Sequence, residues 1–403
     1  MSDAILAPVD PNDPYITCND GSGILELVKS VSDSFLASAN PLLARNWIQK
    51  ATFDPKKYEK NDGNDNVGMF RILQFNILAE GLSSVASKSP PLPFNKPSAG
   101  GGFDALSDPS SILDYSKRRV RIIEEIIRCS PSLLSLQECD HYHSFFSPVL
   151  SKLGYKSTFQ PKRSSPCLDF GYYSDGVALF WKESEFELVG EPDNGTDIGD
   201  IKVPHCIVKL KALGGCGAPD LIFATTHLKS KSTSSNESVR RSQLSSLCGK
   251  VGKIREESGG YKVVLTGDFN TDPVDQPGVR ALAFPQVYES LPFLNCAYGV
   301  SSSEEEEGEG GGGWGVGGSW STWKKRGDYE AKHVIDYIFV EESPRDGGNH
   351  GLEVGRTWGT PRVEEMKEHR LPCWRYPSDH VSIAAEVYWR TPARGGGGGG
   401  GDE

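Results

Sequence analysis

From Arg71 onward, short apolar runs alternate with amphipathic helical patterns, and this rhythm limits the chain more than any other feature. RILQFNIL, SLLSLQE, GVALFWK, HCIVKLKAL, LIFATTH, KVVLTGD, VIDYIFV and HVSIAAEVYW each have the length and apolar content of a buried strand. Between them, SKRRVRIIEEIIRC puts Val120, Ile123 and Ile127 on one stripe that Ile122 and Ile126 widen. A second helical stretch, Ser238 to Ser258, carries Val239, Leu244, Leu247, Val251 and Ile254 and stops at Gly259-Gly260. Such alternation predicts an α/β domain, here over residues 70–390.

The rest of the chain is read as additions to it. Residues 1–69 form an extension, partly helical at Ile24, Leu25, Leu27, Val28 and Val31, with Pro41 as a breaker and EKNDGNDN as a polar linker. Biased segments near 84–110 (SKSPPLPFNKPSAGGGF) and 301–320 (SSSEEEEGEGGGGWGVGGS) read as mobile inserts, and 391–403 as a Gly-rich tail that cannot pack.

Composition removes several function classes. A net charge of −11 argues against a wholly nucleic-acid-coating surface but leaves room for a local cationic pocket. Nine scattered cysteines without a C-x-x-C pair fit reduced thiols, not a zinc site or a disulfide frame. No run reaches transmembrane length, and the N-terminal residues lack leader or transit bias, so the expectation is a cytoplasmic, monomeric protein away from membranes.

The chemistry is concentrated where the apolar runs end. Asn76 lies in QFNIL, Glu138 in LQECD, His227 closes FATTH, Asp268 and Asn270 follow KVVLTG, Asp336 lies in VIDYIF, and Asp379-His380 in YPSDH. Any one of these could be a turn or cap residue. Repetition at six strand ends points instead to one loop-built site on a rigid sheet edge. Oxygen donors, few histidines and no paired cysteines suit Mg²⁺, or Mn²⁺ in its place, better than zinc.

QFNILAEGL, SLQECDHY, TTHLKSK, TGDFNTDP, IDYIFV and YPSDH, in that order over about 80% of the chain, resemble the successive signatures of the endonuclease/exonuclease/phosphatase superfamily. The resemblance implies a four-layer α/β sandwich, two packed, mostly antiparallel sheets flanked by helices, with metal-dependent phosphoester hydrolysis at one end. It implies Glu138 as metal ligand with Asn76 beside it, and Asp268 and Asn270 at the attacking water. His380 then faces the phosphate, oriented by Asp336, His227 donates to a phosphate oxygen, and Asp379 belongs to the metal environment.

The blocks QPKRSSPCLD, HLKSKST and STWKKRG resemble one branch of the superfamily, and they contain Lys162, Lys231 and Arg326. In that branch the matching basic positions hold the phosphates of NADP(H), whose 2′-phosphate is removed. At Lys231 the branch pattern calls for arginine, and lysine lacks its bidentate fork; Lys229 and Arg163 are candidate substitutes. The alternative is a 3′–5′ exoribonuclease acting on single-stranded poly(A), which calls for a longer basic and aromatic groove. A non-catalytic adaptor need not retain Glu138, Asp268, Asn270, Asp336 and His380 together.

Overall fold

The computed structural model describes residues 4–58, 66–83, 102–103, 106–214, 218–298, 300–301, 314–315, 320–326, 329–342, 351–361, 363–366 and 370–391. Most of the two interrupting segments, the linker and the tail after Thr391 lie outside these residues.

Two seven-stranded sheets face each other. In spatial order the first runs Trp47–Gln49, Leu352–Trp358, Ile383–Thr391, Asn66–Asn76, Leu133–Gln137, Gly176–Lys182 and Tyr155–Pro161. The second runs Leu294–Cys296, Asp336–Glu341, Lys262–Asp268, Leu221–His227, Ile201–Ala212 and Phe186–Leu188, with Asp193–Ile198 also paired to Ile201–Ala212. Each sheet is antiparallel except for one parallel pair near its middle: Asn66–Asn76 with Leu133–Gln137, and Leu221–His227 with Lys262–Asp268. Parallel neighbours end at the same edge. That arrangement brings Asn76, Gln137, His227 and Asp268 to strand termini, with Glu138 one residue beyond.

Side-chain alternation explains the layering. In Asn66–Asn76, Phe70 and Ile72 join the core between the sheets, while Leu73 and Phe75 pack outward. The outward face meets the helix Tyr115–Cys129, started by the Asp114 cap on Ser116 N, and the helix Gly21–Ala37, capped by Asp20 on Gly23 N. On the far side the helix Ser234–Ser258 buries Leu244, Leu247, Cys248 and Val251 against the second sheet. It begins earlier than its apolar spacing predicts because Thr233 caps Asn236 N. The result is the expected four layers.

Residues 4–58 are woven into this body. Ile24, Val28 and Leu43 are buried in the outer core of the first sheet, and Trp47–Gln49 adds its edge strand. The eight described cysteines are free thiols, six of them buried and two, Cys18 and Cys373, half-buried. Among the described residues, no helix is long and apolar enough to cross a membrane.

Candidate active site

Towards one end the inter-sheet core changes character. Phe70 and Ile72 are followed on the same strand face by Gln74 and Asn76, both fully buried. Buried polar groups need partners, and these find them across the gap. Gln74 Nε2 donates to Gln137 Oε1 (2.6 Å) and to Asp336 Oδ1 (3.0 Å), and Gln137 Nε2 donates to Thr225 Oγ1 (3.0 Å). Asn76 Nδ2 donates to Asp268 Oδ2 (2.9 Å), and its own Oδ1 accepts from Leu78 N.

Asp268 is the centre of the arrangement. Its Oδ1 accepts from Asn270 N (2.9 Å), so the Asp268–Asn270 stretch is a side-chain-closed turn as well as a site. Asn270 sits at φ 53° and donates its side chain to Leu228 O. His227 Nε2 lies 3.5 Å and His380 Nε2 3.9 Å from Asp268 Oδ2. Burial, and then the neighbouring Asp336, push the Asp268 carboxyl up to about 7. Gly267, at φ 152°, has no room for a side chain: a Cβ there would meet Thr226 O at 2.3 Å.

His380 and Asp336 form the second unit. Nδ1 of His380 donates to Asp336 Oδ2 (2.8 Å), which Ser321 Oγ also reaches (2.6 Å). Burial works against the imidazolium, but Asp336 and then Asp379 outweigh it and raise His380 to about 9. His227 behaves oppositely. Burial, with Lys162 and His380 nearby, holds it well below its usual pKa, and its buried Nδ1 has no partner among the described residues.

Cations flank these groups. Lys162 Nζ pairs with the buried Asp175 Oδ2 (2.6 Å); burial would lower its pKa, but Asp175 and Glu138 raise it. Lys324 Nζ (2.7 Å) and Arg326 Nη2 (3.1 Å) converge on Asp379 Oδ2, and Arg326 also stacks over Phe103. Burial opposes the Asp379 charge, yet Lys324, His380 and Arg326 hold its carboxyl far below the usual range. Oδ2 of Asp379, the residue expected in the metal environment, is thus shared by two basic side chains. Lys231 is exposed after His227 at φ 75°; its carbonyl accepts from Arg240 and Asn236, and among the described residues no acidic group pairs with its ammonium.

Glu138 sits half-exposed at φ 55°, a strained setting for a residue other than glycine, and one oxygen accepts from Ala79 N (3.3 Å). No basic group among the described residues pairs with it. Atoms of Asp268, Asp336 and His380 lie within 4.8 Å of one another. With Glu138 adding to the negative field on Asp268, the pocket carries more carboxylate than its own cations balance, and oxygen donors of this kind fit a hard divalent ion.

Several participants escape a reading of the sequence. Lys324 is two residues from Arg326 on the same strand face, so period-two alternation could have found it. Gln74, Ser321, Asp175 and Arg118 gave no local signal. Arg118, buried in its helix, donates to Pro377 O, Ser83 Oγ and Ile77 O, tying the loop after Asn76 to the loop before Asp379.

This fold with this cluster defines a class. The model of the Endonuclease/Exonuclease/phosphatase family matches residues 73–380, and the chain belongs to that family, whose members are metal-dependent phosphoester hydrolases. Within it, the chain is similar to nocturnins. It is 32% identical over 329 residues to nocturnin of Xenopus laevis, covering 81% of this chain and 74% of that protein. Against nocturnin of Homo sapiens it is 26% identical over 391 residues, covering 96% and 78%. The solved human nocturnin catalytic domain with bound sulfate anion superposes with a TM-score of 0.57 at 25% identity, covering 86% of this chain and 97% of that one. ANGEL2, a 2′,3′-cyclic phosphatase, shares the fold with a TM-score of 0.58 at 20% identity, covering 86% and 98%.

Proposed function

We propose that this enzyme removes the 2′-phosphate of NADP(H), giving NAD(H) and inorganic phosphate, with Mg²⁺ as its ion. The observation that carries the reading is the gathering of three cations, Lys162, Lys324 and Arg326, about one buried acid–histidine cluster. A compact, multiply phosphorylated dinucleotide offers several anionic groups to such a set of cations at once. Likeness to the nocturnin branch and the sulfate in the solved human relative support an anion-binding pocket.

Glu138, with Asn76 beside it, would hold the ion, which supplies positive charge for the non-bridging phosphate oxygens. Asp268, placed by Asn76 and by the Asn270 amide, takes the proton of the attacking water. Asn270 helps orient that water. His380, kept cationic by Asp336, faces the growing negative charge. His227 is neutral and would donate the N–H of Nε2, the nitrogen that faces Asp268, to a phosphate oxygen. Asp379 is assigned to holding Lys324 and Arg326 in place. Lys231 remains a candidate phosphate contact that a bound substrate would draw inward.

A 3′–5′ poly(A) exoribonuclease is the second reading. It is favoured by the hairpin Thr322–Arg326/Tyr329–His333, where Lys332 and Arg370 both stack on Trp323 beside Lys324 and Arg326. Arg326→Ala separates the two. On NADPH it should lower kcat/KM by about ten- to a hundredfold, while a small generic phosphoester is hydrolysed as before. On a twenty-nucleotide oligo(A), where many contacts share the load, the same variant would matter less. Equal, small losses on NADPH and on the generic ester would reject the dinucleotide reading.

A further inference from the structure

We infer that Arg45, from the segment that precedes the family-matched residues 73–380, is a positioning residue for His380. The loop 376–382 carries Asp379 and His380, and a buried guanidinium grips each of its ends. At the first, Arg118 Nε donates to Pro377 O (2.7 Å). At the second, Arg45 Nη2 donates to Ser382 O (2.7 Å). Between them, Ser378 Oγ donates to Asn76 O (2.7 Å) and accepts from His380 N (3.1 Å).

Arg45 does more than touch one carbonyl. Its Nη1 pairs with Glu125 Oε1 (3.2 Å), both side chains having no exposed surface, and its Nε donates to Gly359 O. The same Glu125 oxygen accepts from Tyr376 OH (2.9 Å) and Ser382 Oγ (3.0 Å), and Tyr376 OH accepts from Ser382 N (2.9 Å). The Arg45 ring of contacts is completed by its stack on Trp358 at 4.7 Å. A planar, five-donor group thus fixes the exit of the loop against the helix Tyr115–Cys129 and the first sheet. His380 is two residues from the Ser382 contact, and its Nδ1–Asp336 hydrogen bond depends on where that exit is held.

The inference rests on the assignment of His380 to the reaction, so its test has two readouts. The first is the downfield Nδ1–H proton resonance of His380 in the metal-free protein. The second is the division between kcat and KM on NADPH with Mg²⁺. For Arg45→Met the resonance should shift or broaden, and kcat should fall on the order of ten- to a hundredfold, as for a displaced catalytic group. KM should stay within about threefold, because Lys162 is untouched and the Pro377 end of the loop is still held. Arg45→Lys should recover part of kcat, since it restores the charge opposite Glu125 without the fork. If Arg45→Met does not fold, Tyr376→Phe, which removes only the bridging hydroxyl, should show the same two changes in smaller degree. An unaltered resonance with wild-type kcat in folded Arg45→Lys and Tyr376→Phe overturns the inference. A shifted resonance with wild-type kcat supports the positioning and instead rejects a catalytic role for His380.

Discussion

Asp336→Asn is the sharpest single perturbation of the chemistry. The substitution keeps the shape and removes the charge that holds His380. Asp336 accepts three donors: His380 Nδ1, Ser321 Oγ and Gln74 Nε2. An asparagine amide cannot accept from all three, so one buried donor is left unpaired at about 1–3 kcal/mol. The larger effect is electrostatic. His380 is raised to about 9, against 6.5 for an ordinary imidazole, with Asp336 the strongest influence in that direction. Losing that charged hydrogen bond removes roughly 1.5–3 kcal/mol of imidazolium stabilisation, or on the order of ten- to a hundredfold in kcat if the cation faces the transition state. The assay is phosphate release from NADPH with Mg²⁺ between pH 6 and 10. The alkaline limb, where His380 loses its proton, should move to lower pH in the variant. Stability carries the same sign: the raised pKa stabilises the fold fully below the ordinary imidazole range, and that contribution disappears as pH rises through about 9. A kcat within about threefold of wild type, with an unmoved alkaline limb, would refute the assignment.

Chelation by EDTA should abolish turnover and Mg²⁺ or Mn²⁺ restore it, while Glu138→Gln should remain inactive at every metal concentration if Glu138 is the ligand; metal-rescued activity in that variant counts against it. Gly267→Ala should lower stability by on the order of 3 kcal/mol, because its Cβ would press on Thr226 O, and denaturant unfolding measures this. Burial raises the Glu341 carboxyl, but the bidentate Arg255 and Lys262 together hold it low. Glu341→Gln should therefore lose about 1–2 kcal/mol at neutral pH. The difference from wild type should close as pH falls through the depressed Glu341 pKa, where the wild-type carboxylate is itself protonated.

What the sequence disclosed follows from burial. The strands with unbroken apolar runs, such as Gly176–Lys182 and Leu221–His227, were legible because both faces of each are covered. Tyr155–Pro161 and Asp193–Ile198 were not, since edge positions leave their residues half-buried and polar. Site residues at strand ends could be read in order along the chain, because the fold collects them by ending its parallel pairs at one edge. Their supports could not. Arg45 in PLLARNW looks like any surface arginine until Glu125 and Ser382 close on it from distant segments. Nor could the partners of Asp379 be read from YPSDH: Lys324 and Arg326, which pair with its Oδ2, lie on a hairpin some fifty residues earlier.

The central claim concerns which bond is cut, and product identity tests it most directly. Purified protein with Mg²⁺ is given NADPH and a twenty-nucleotide oligo(A) in one tube, followed by phosphorus NMR and by RNA length. The expected result is loss of the 2′-phosphomonoester signal with stoichiometric inorganic phosphate and NADH, the oligonucleotide staying at full length. Shortened RNA and release of AMP beside unchanged NADPH would contradict it and make the enzyme an exoribonuclease.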